Sequence, residues 1–133
     1  MKILIVEDDQ AFFGLCSMEL KNAGHDVVHV SDGSQALEKI KVEKPDVVLL
    51  DIVLPGMNGL DILKGMKDLD ETKDIKVAML TNFGMDDNVN RAMELGANDY
   101  LMKYNIVLSE LPAKISALGG TSKETKDTIK VTS

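Results

Sequence analysis

Four short apolar runs in this chain end on residues capable of polar chemistry. Ile3-Leu4-Ile5-Val6 leads into Glu7-Asp8-Asp9, Val47-Val48-Leu49-Leu50 into Asp51, Val77-Ala78-Met79-Leu80 into Thr81-Asn82, and Tyr100-Leu101-Met102 into Lys103. Read as parallel strands, the runs share one carboxyl edge, where open α/β sheets bind their ligands. Glu7, Asp8 and Asp51 then meet there with the Lys103 ammonium and the Thr81 hydroxyl. Carboxylates a few ångströms apart repel by about 1 kcal/mol per pair in bulk water and several-fold more where water is thin, so positive charge must compensate. Lys103 supplies one unit and a hard dication would supply two. Mg2+ suits an oxygen set of one or two carboxylates completed by water and phosphate oxygens, whereas Ca2+ asks for more protein oxygens. Asp51 is then the candidate nucleophile: its carboxylate can take a phosphoryl group as an acyl phosphate. Metal and Lys103 offset the charge in transfer, and Thr81 donates to the new phosphoryl oxygens.

The elements that must position these residues follow from hydropathy. The four runs, with Val27 to Val30, are the strand candidates, nearly continuous in apolar character as strands buried on both faces are. Between them lie amphipathic stretches. Residues 10–22 place Phe13, Cys16 and Leu20 on one stripe before Gly24. A second helix is predicted after Asp32-Gly33-Ser34 with Ala36, Leu37 and Ile40 inward, and a third after Asn58-Gly59 with Ile62, Leu63 and Met66 inward. A fourth is predicted from about Met85 to Leu95 on Val89, Ala92 and Met93, and a fifth from Ser109 with Pro112 in its first turn. Alternating strands and helices imply an α/β fold with right-handed crossovers, although strand order is not readable from the pattern. Asp9 reads as a helix cap, His25 and His29 as strand or surface residues, and the methionines, Met18 and Met93 among them, as packing.

A chain of 133 residues with 44% hydrophobic content fits one domain, read here as residues 1–118, with 119–133 as a flexible polar tail because no apolar stripe continues beyond Leu118. The formal charge of -7 disfavours direct contact with nucleic acid. The lone Cys16 has no partner for an internal disulfide, and no apolar run is long enough for a signal sequence or membrane span. A cytoplasmic protein without membrane contact is expected.

The distributed set Glu7-Asp8 after a strand, Asp51-Ile52-Val53-Leu54-Pro55-Gly56-Met57-Asn58-Gly59, Thr81, and Asp99-Tyr100-Leu101-Met102-Lys103 resembles the receiver domain of two-component response regulators, chemotaxis-regulator type, over residues 1–118. The resemblance implies a flavodoxin-like doubly wound sheet of five parallel strands in the order 2-1-3-4-5 with five helices. It also implies that Asp51 is the phosphorylated residue and Asp8 a direct Mg2+ ligand. Glu7 would touch the ion through water, and Val53 through its backbone carbonyl. Thr81 and Tyr100 correspond to a hydroxyl and aromatic switch pair, and Lys103 to the lysine that contacts the phosphoryl oxygens. The implied donor is a phosphohistidine on a sensor histidine kinase or phosphotransfer protein. The implied output is a downstream protein contact, which could include a phosphorylation-linked dimer, through the fourth helix, fifth strand and fifth helix, where Arg91, Leu95, Tyr100, Tyr104 and Ile106 fall.

Such a domain is a switch rather than an enzyme in the ordinary sense, although it catalyses its own phosphoryl transfer and a slow autodephosphorylation. Two departures stand out. Tyr104 follows the lysine where the family has proline, which points to a trans bond, since the cis form without proline costs about 2.5–4 kcal/mol. Val53 and Phe83, two residues beyond Asp51 and Thr81, offer no polar group to orient a water, so a long-lived phosphoryl group is expected. The competing reading is a receiver-like interaction module that is not phosphorylated in use. An aspartyl phosphatase would need a second acid where Val53 stands, and a flavin carrier would need a phosphate-cradling loop where Glu7-Asp8-Asp9 stands.

Overall fold

The computed structural model describes residues 1–82 and 87–119. Five strands, β1 (Lys2–Val6), β2 (Asp26–Val30), β3 (Val47–Asp51), β4 (Lys76–Thr81) and β5 (Asp99–Met102), alternate with five helices, α1 (Gln10–Asn22), α2 (Ala36–Glu43), α3 (Gly59–Lys67), α4 (Asp87–Glu94) and α5 (Leu111–Leu118). All pairings are parallel and the order is β2-β1-β3-β4-β5, the doubly wound arrangement implied by the resemblance.

Because successive strand residues point to opposite faces, each strand contributes to two cores. Leu4, Val6, Val48, Leu50, Val77 and Met79 pack under α2, α3 and α4 through Ile40, Ile62, Leu63, Met66, Val89 and Ala92. Ile3, Ile5, Val47, Leu49, Ala78 and Leu80 pack under α1 and α5 through Cys16, Leu20, Leu111 and Ile115. The helix starts are locally encoded. The side chains of Asp9 and Asn58 accept hydrogen bonds from the N–H groups of Phe12 and Asp61, capping α1 and α3. Gly24 and Gly96, at φ +94° and +106°, turn the chain out of α1 and α4 in a conformation that other residues rarely adopt.

The structure corrects three expectations. Met93 is 40% exposed, because α4 centres its stripe on Ala92, between Val89 and Leu95, and leaves Met93 about 100° away. Met18 is 52% exposed, two positions and hence about 200° from both Cys16 and Leu20. α5 begins at Leu111, after a 3₁₀ turn at Leu108–Glu110 that takes in Ser109, and Pro112 lies in its first turn, where a missing N–H is harmless. The predicted α4 start at Met85, the Phe83 position and the tail beyond Gly119 lie outside the described residues.

Candidate phosphoryl-acceptor site

The register of the sheet assembles the site. Val6 pairs with Leu50, which sets Glu7 level with Asp51; Asp51 pairs with Leu80, and Thr81 with Met102, one residue before Lys103. Two hydrogen bonds carry the ladder past the strand ends, from Ile52 N–H to the Leu80 carbonyl at 3.2 Å and from Lys103 N–H to the Thr81 carbonyl at 2.8 Å. Glu7, Asp8 and Asp51 each offer a carboxylate oxygen, all within 4.8 Å of one another. Glu7 is fully buried, Asp51 and Thr81 nearly so, and Asp8 is exposed.

Lys103 reaches across β4 into this cluster. Its Nζ lies 2.9 Å from Asp51 Oδ2 and 2.7 Å from Glu7 Oε1, with only 7% of the side chain exposed. It also sits 5.3 Å from the centroid of the Phe12 ring, a cation–π arrangement. The other Asp51 oxygen, Oδ1, accepts the Val53 N–H at 3.2 Å, and Glu7 Oε2 accepts the Asp9 N–H at 2.9 Å. No peptide bond among the described residues is cis, so the Lys103–Tyr104 bond is trans as expected, and Lys103 still spans both carboxylates. The Tyr104 departure therefore leaves Lys103 aimed into the pocket.

Burial pushes the Glu7 carboxyl up to about 7; Lys103 and the Asp9 N–H pull it down, while the charge on Asp51 adds to the rise. Burial alone would lower Lys103, but its hydrogen bond to Asp51, its close ion pair with Glu7 and the charges of both outweigh this and hold it above the ordinary lysine value. Burial likewise raises the thiol of Cys16, on the buried face of α1, to about 12, with the charge on Glu7 adding to the rise, so it stays a neutral packing residue.

The donor set fits a hard dication. With all three carboxyls ionised, one ammonium leaves two negative charges for a dication to offset, all ligand atoms are oxygens, and Glu7 Oε1 is buried without a hydrogen bond of good geometry despite its ion pair with Lys103. Val53 is placed beside Asp51 and is 68% exposed. Tyr100 is half-buried on β5 and packs against the core under α2, α3 and α4.

Reading the sequence missed three residues at this site. Phe12 underlies Lys103, Phe13 stacks on His29 with ring centroids 3.6 Å apart, and His29 Nε2 bonds the Glu7 carbonyl at 2.8 Å. The only signal for Phe13 was its place on an apolar stripe, which says inward but not toward what. His29 carried no signal, because only the sheet register brings it near Glu7.

A doubly wound parallel sheet with a lysine-bridged acidic pocket at the carboxyl ends of its strands defines a phosphoryl-acceptor signalling domain. The family profile for the response regulator receiver domain matches residues 3–116. Sporulation initiation phosphotransferase F of Bacillus subtilis (strain 168) is 39% identical over 102 residues, spanning 77% of this chain and 81% of that protein. The alkaline phosphatase synthesis transcriptional regulatory protein PhoP of the same organism is 35% identical over 102 residues, but these are 42% of its length, so the match covers under half of that regulator. The BeF3-activated N-terminal receiver domain of Klebsiella pneumoniae RstA superposes with a TM-score of 0.81 at 34% identity, over 89% of this chain and 97% of that one. The chain belongs to the response regulator receiver domain family. No described helix is long and apolar enough to cross a membrane.

Proposed function

We propose that Asp51 accepts a phosphoryl group from a phosphohistidine on a sensor kinase or phosphotransfer protein, with Mg2+ held by Glu7, Asp8, Asp51 and the Val53 carbonyl. The observation that carries this reading is the Lys103 ammonium lying between Asp51 and Glu7 in a pocket that remains anionic. Bound there, the ion would offset charge on the transferring phosphoryl group. Lys103 stands ready to neutralise an oxygen of that group, and the Val53 N–H orients the Asp51 carboxylate. Thr81, at the end of β4, is assigned the hydroxyl that meets the phosphoryl group, and Tyr100 the ring that follows it inward.

The output is assigned to the face made by α4, β5 and α5, where Arg91, Tyr104 and the half-buried Leu95, Tyr100 and Ile106 lie. Phosphorylation would bias a two-state element there and so change a protein contact, which could be a second copy of the chain. A cytoplasmic setting and a domain boundary near residue 118 belong to the same reading.

The test is labelling by radioactive acetyl phosphate with and without Mg2+. Label should appear only with Mg2+ and should vanish in Asp51→Asn; equal labelling of that variant would refute the assignment. A chase after removal of the donor reads the lifetime of the phosphoryl group. It should be long, and should shorten in Val53→Asn if the missing polar group at that position is the reason.

A further inference from the structure

We infer that His29 is a positioning residue for the metal-binding end of the site, acting through the backbone of Glu7. The inference rests on the Mg2+ reading above. The ladder between β1 and β2 ends where Val6 pairs with Val30. One residue further on, the Glu7 N–H still finds β2, donating to the Val30 carbonyl at 3.0 Å. β2 then stops and the chain turns away into Asp32-Gly33-Ser34, leaving the Glu7 carbonyl past the end of the strand. Its partner is a side chain instead: His29 Nε2 donates to it at 2.8 Å.

The imidazole is itself held. His29 lies opposite Ile5 in the register, on the α1 side of the sheet, and its ring lies flat against Phe13, with centroids 3.6 Å apart and planes 8° from parallel. Phe13 in turn donates its N–H to the carbonyl of Asp9, the capping residue of α1, at 2.9 Å. One ring thus ties together the end of β1, the end of β2 and the first turn of α1. A neutral imidazole with its proton on Nε2 and an imidazolium both donate here.

The Glu7 peptide is therefore gripped on both sides, its N–H by Val30 and its carbonyl by His29, while Oε2 accepts the Asp9 N–H at 2.9 Å. Glu7 and Asp8, on this one turn, supply two of the three carboxylates of the pocket. Loosening the turn would misplace both at once without removing either.

Calorimetric titration of the full chain with Mg2+ tests this. His29→Phe keeps a ring to stack on Phe13 but has no N–H, and should weaken Mg2+ binding about tenfold, while His29→Gln, whose amide N–H can reach the same carbonyl, should stay within about threefold of the unaltered protein. Ile115→Val, on the buried face of α5, should lower stability and leave the affinity unchanged, which separates positioning from general loosening. Unaltered affinity in His29→Phe overturns the inference; absence of Mg2+ binding by the unaltered chain overturns the reading of the site and this inference with it. By NMR of the metal-free, unaltered chain, the His29 ring proton should exchange slowly and show proximity to Glu7. A fast-exchanging ring proton would overturn the inference without any substitution.

Discussion

At the scale of single residues, Glu7 is the most informative position. It is a fully buried carboxyl whose charge is opposed by burial and by Asp51 and supported by Lys103 and one backbone N–H. With its pKa near 7 in the metal-free fold against 4.5 ordinarily, the folded state holds a proton that the unfolded chain has released across that interval. The sign follows: this group's contribution is fully present below pH 4.5 and is lost as pH rises through 7. Its size is of order 3 kcal/mol, from 1.36 kcal/mol per pKa unit. Urea midpoints in chelator should therefore fall more steeply between pH 4.5 and 7 for the unaltered chain than for Glu7→Gln, which has nothing to titrate. Identical slopes would mean that the carboxyl is already ionised at low pH. Saturating Mg2+ should erase the difference in slope, because a dication at the pocket favours the ionised form.

At the scale of elements, most of the architecture was legible because it rests on local chemistry. Apolar runs without alternation gave the five strands, and Asp9 and Asn58 announced the starts of α1 and α3 through the same side-chain oxygens that cap them in the fold. Helix faces were legible only to about one position: Met18 and Met93 are apolar but stand off the stripe, and hydropathy alone does not say which apolar residue the sheet receives. For the site, Glu7, Asp8, Asp51, Thr81 and Lys103 could be read because each ends an apolar run. His29, Phe12 and Phe13 could not, since their roles come from register and helix docking rather than from neighbours in sequence. Glycine separates the two kinds of constraint. A Cβ on Gly59 would collide with the Asp51 carbonyl, because the start of α3 is tied to the end of β3 by the Gly59 N–H to Ile52 carbonyl bond at 2.8 Å. One on Gly65 would meet only the tip of the Leu37 side chain. Gly59→Ala should lose about 2 kcal/mol in urea denaturation, as overpacked sites do, and should slow labelling of Asp51. Gly65→Ala should be neutral or gain up to about 1 kcal/mol, since alanine is the better helix former. Equal effects at both positions would show that the α3 start is free to shift away from Asp51.

At the scale of the whole molecule, the sheet gathers charge at one edge. The chain carries a net charge of -7, and three of its carboxylates gather within 4.8 Å at the carboxyl ends of β1 and β3, two of them bridged by Lys103. The fold holds this cluster because the two cores on either side of the sheet exceed the local repulsion, not because the cluster is itself stabilising. A ligand that binds only the assembled pocket must then stabilise the entire domain, since β1, β3 and β5 reach the site from chain positions far apart. Binding at tenfold excess over Kd adds about 1.4 kcal/mol, which for a domain of this size raises Tm by roughly 4–7 °C. Mg2+ should produce that rise in the unaltered protein and little of it in Asp8→Ala. In Asp51→Asn, removal of one repelling charge should raise the metal-free Tm while shrinking the response to Mg2+. A thermal melt with and without Mg2+ reads all three, and a response of equal size in every variant would place the ion elsewhere than at the Glu7, Asp8 and Asp51 cluster.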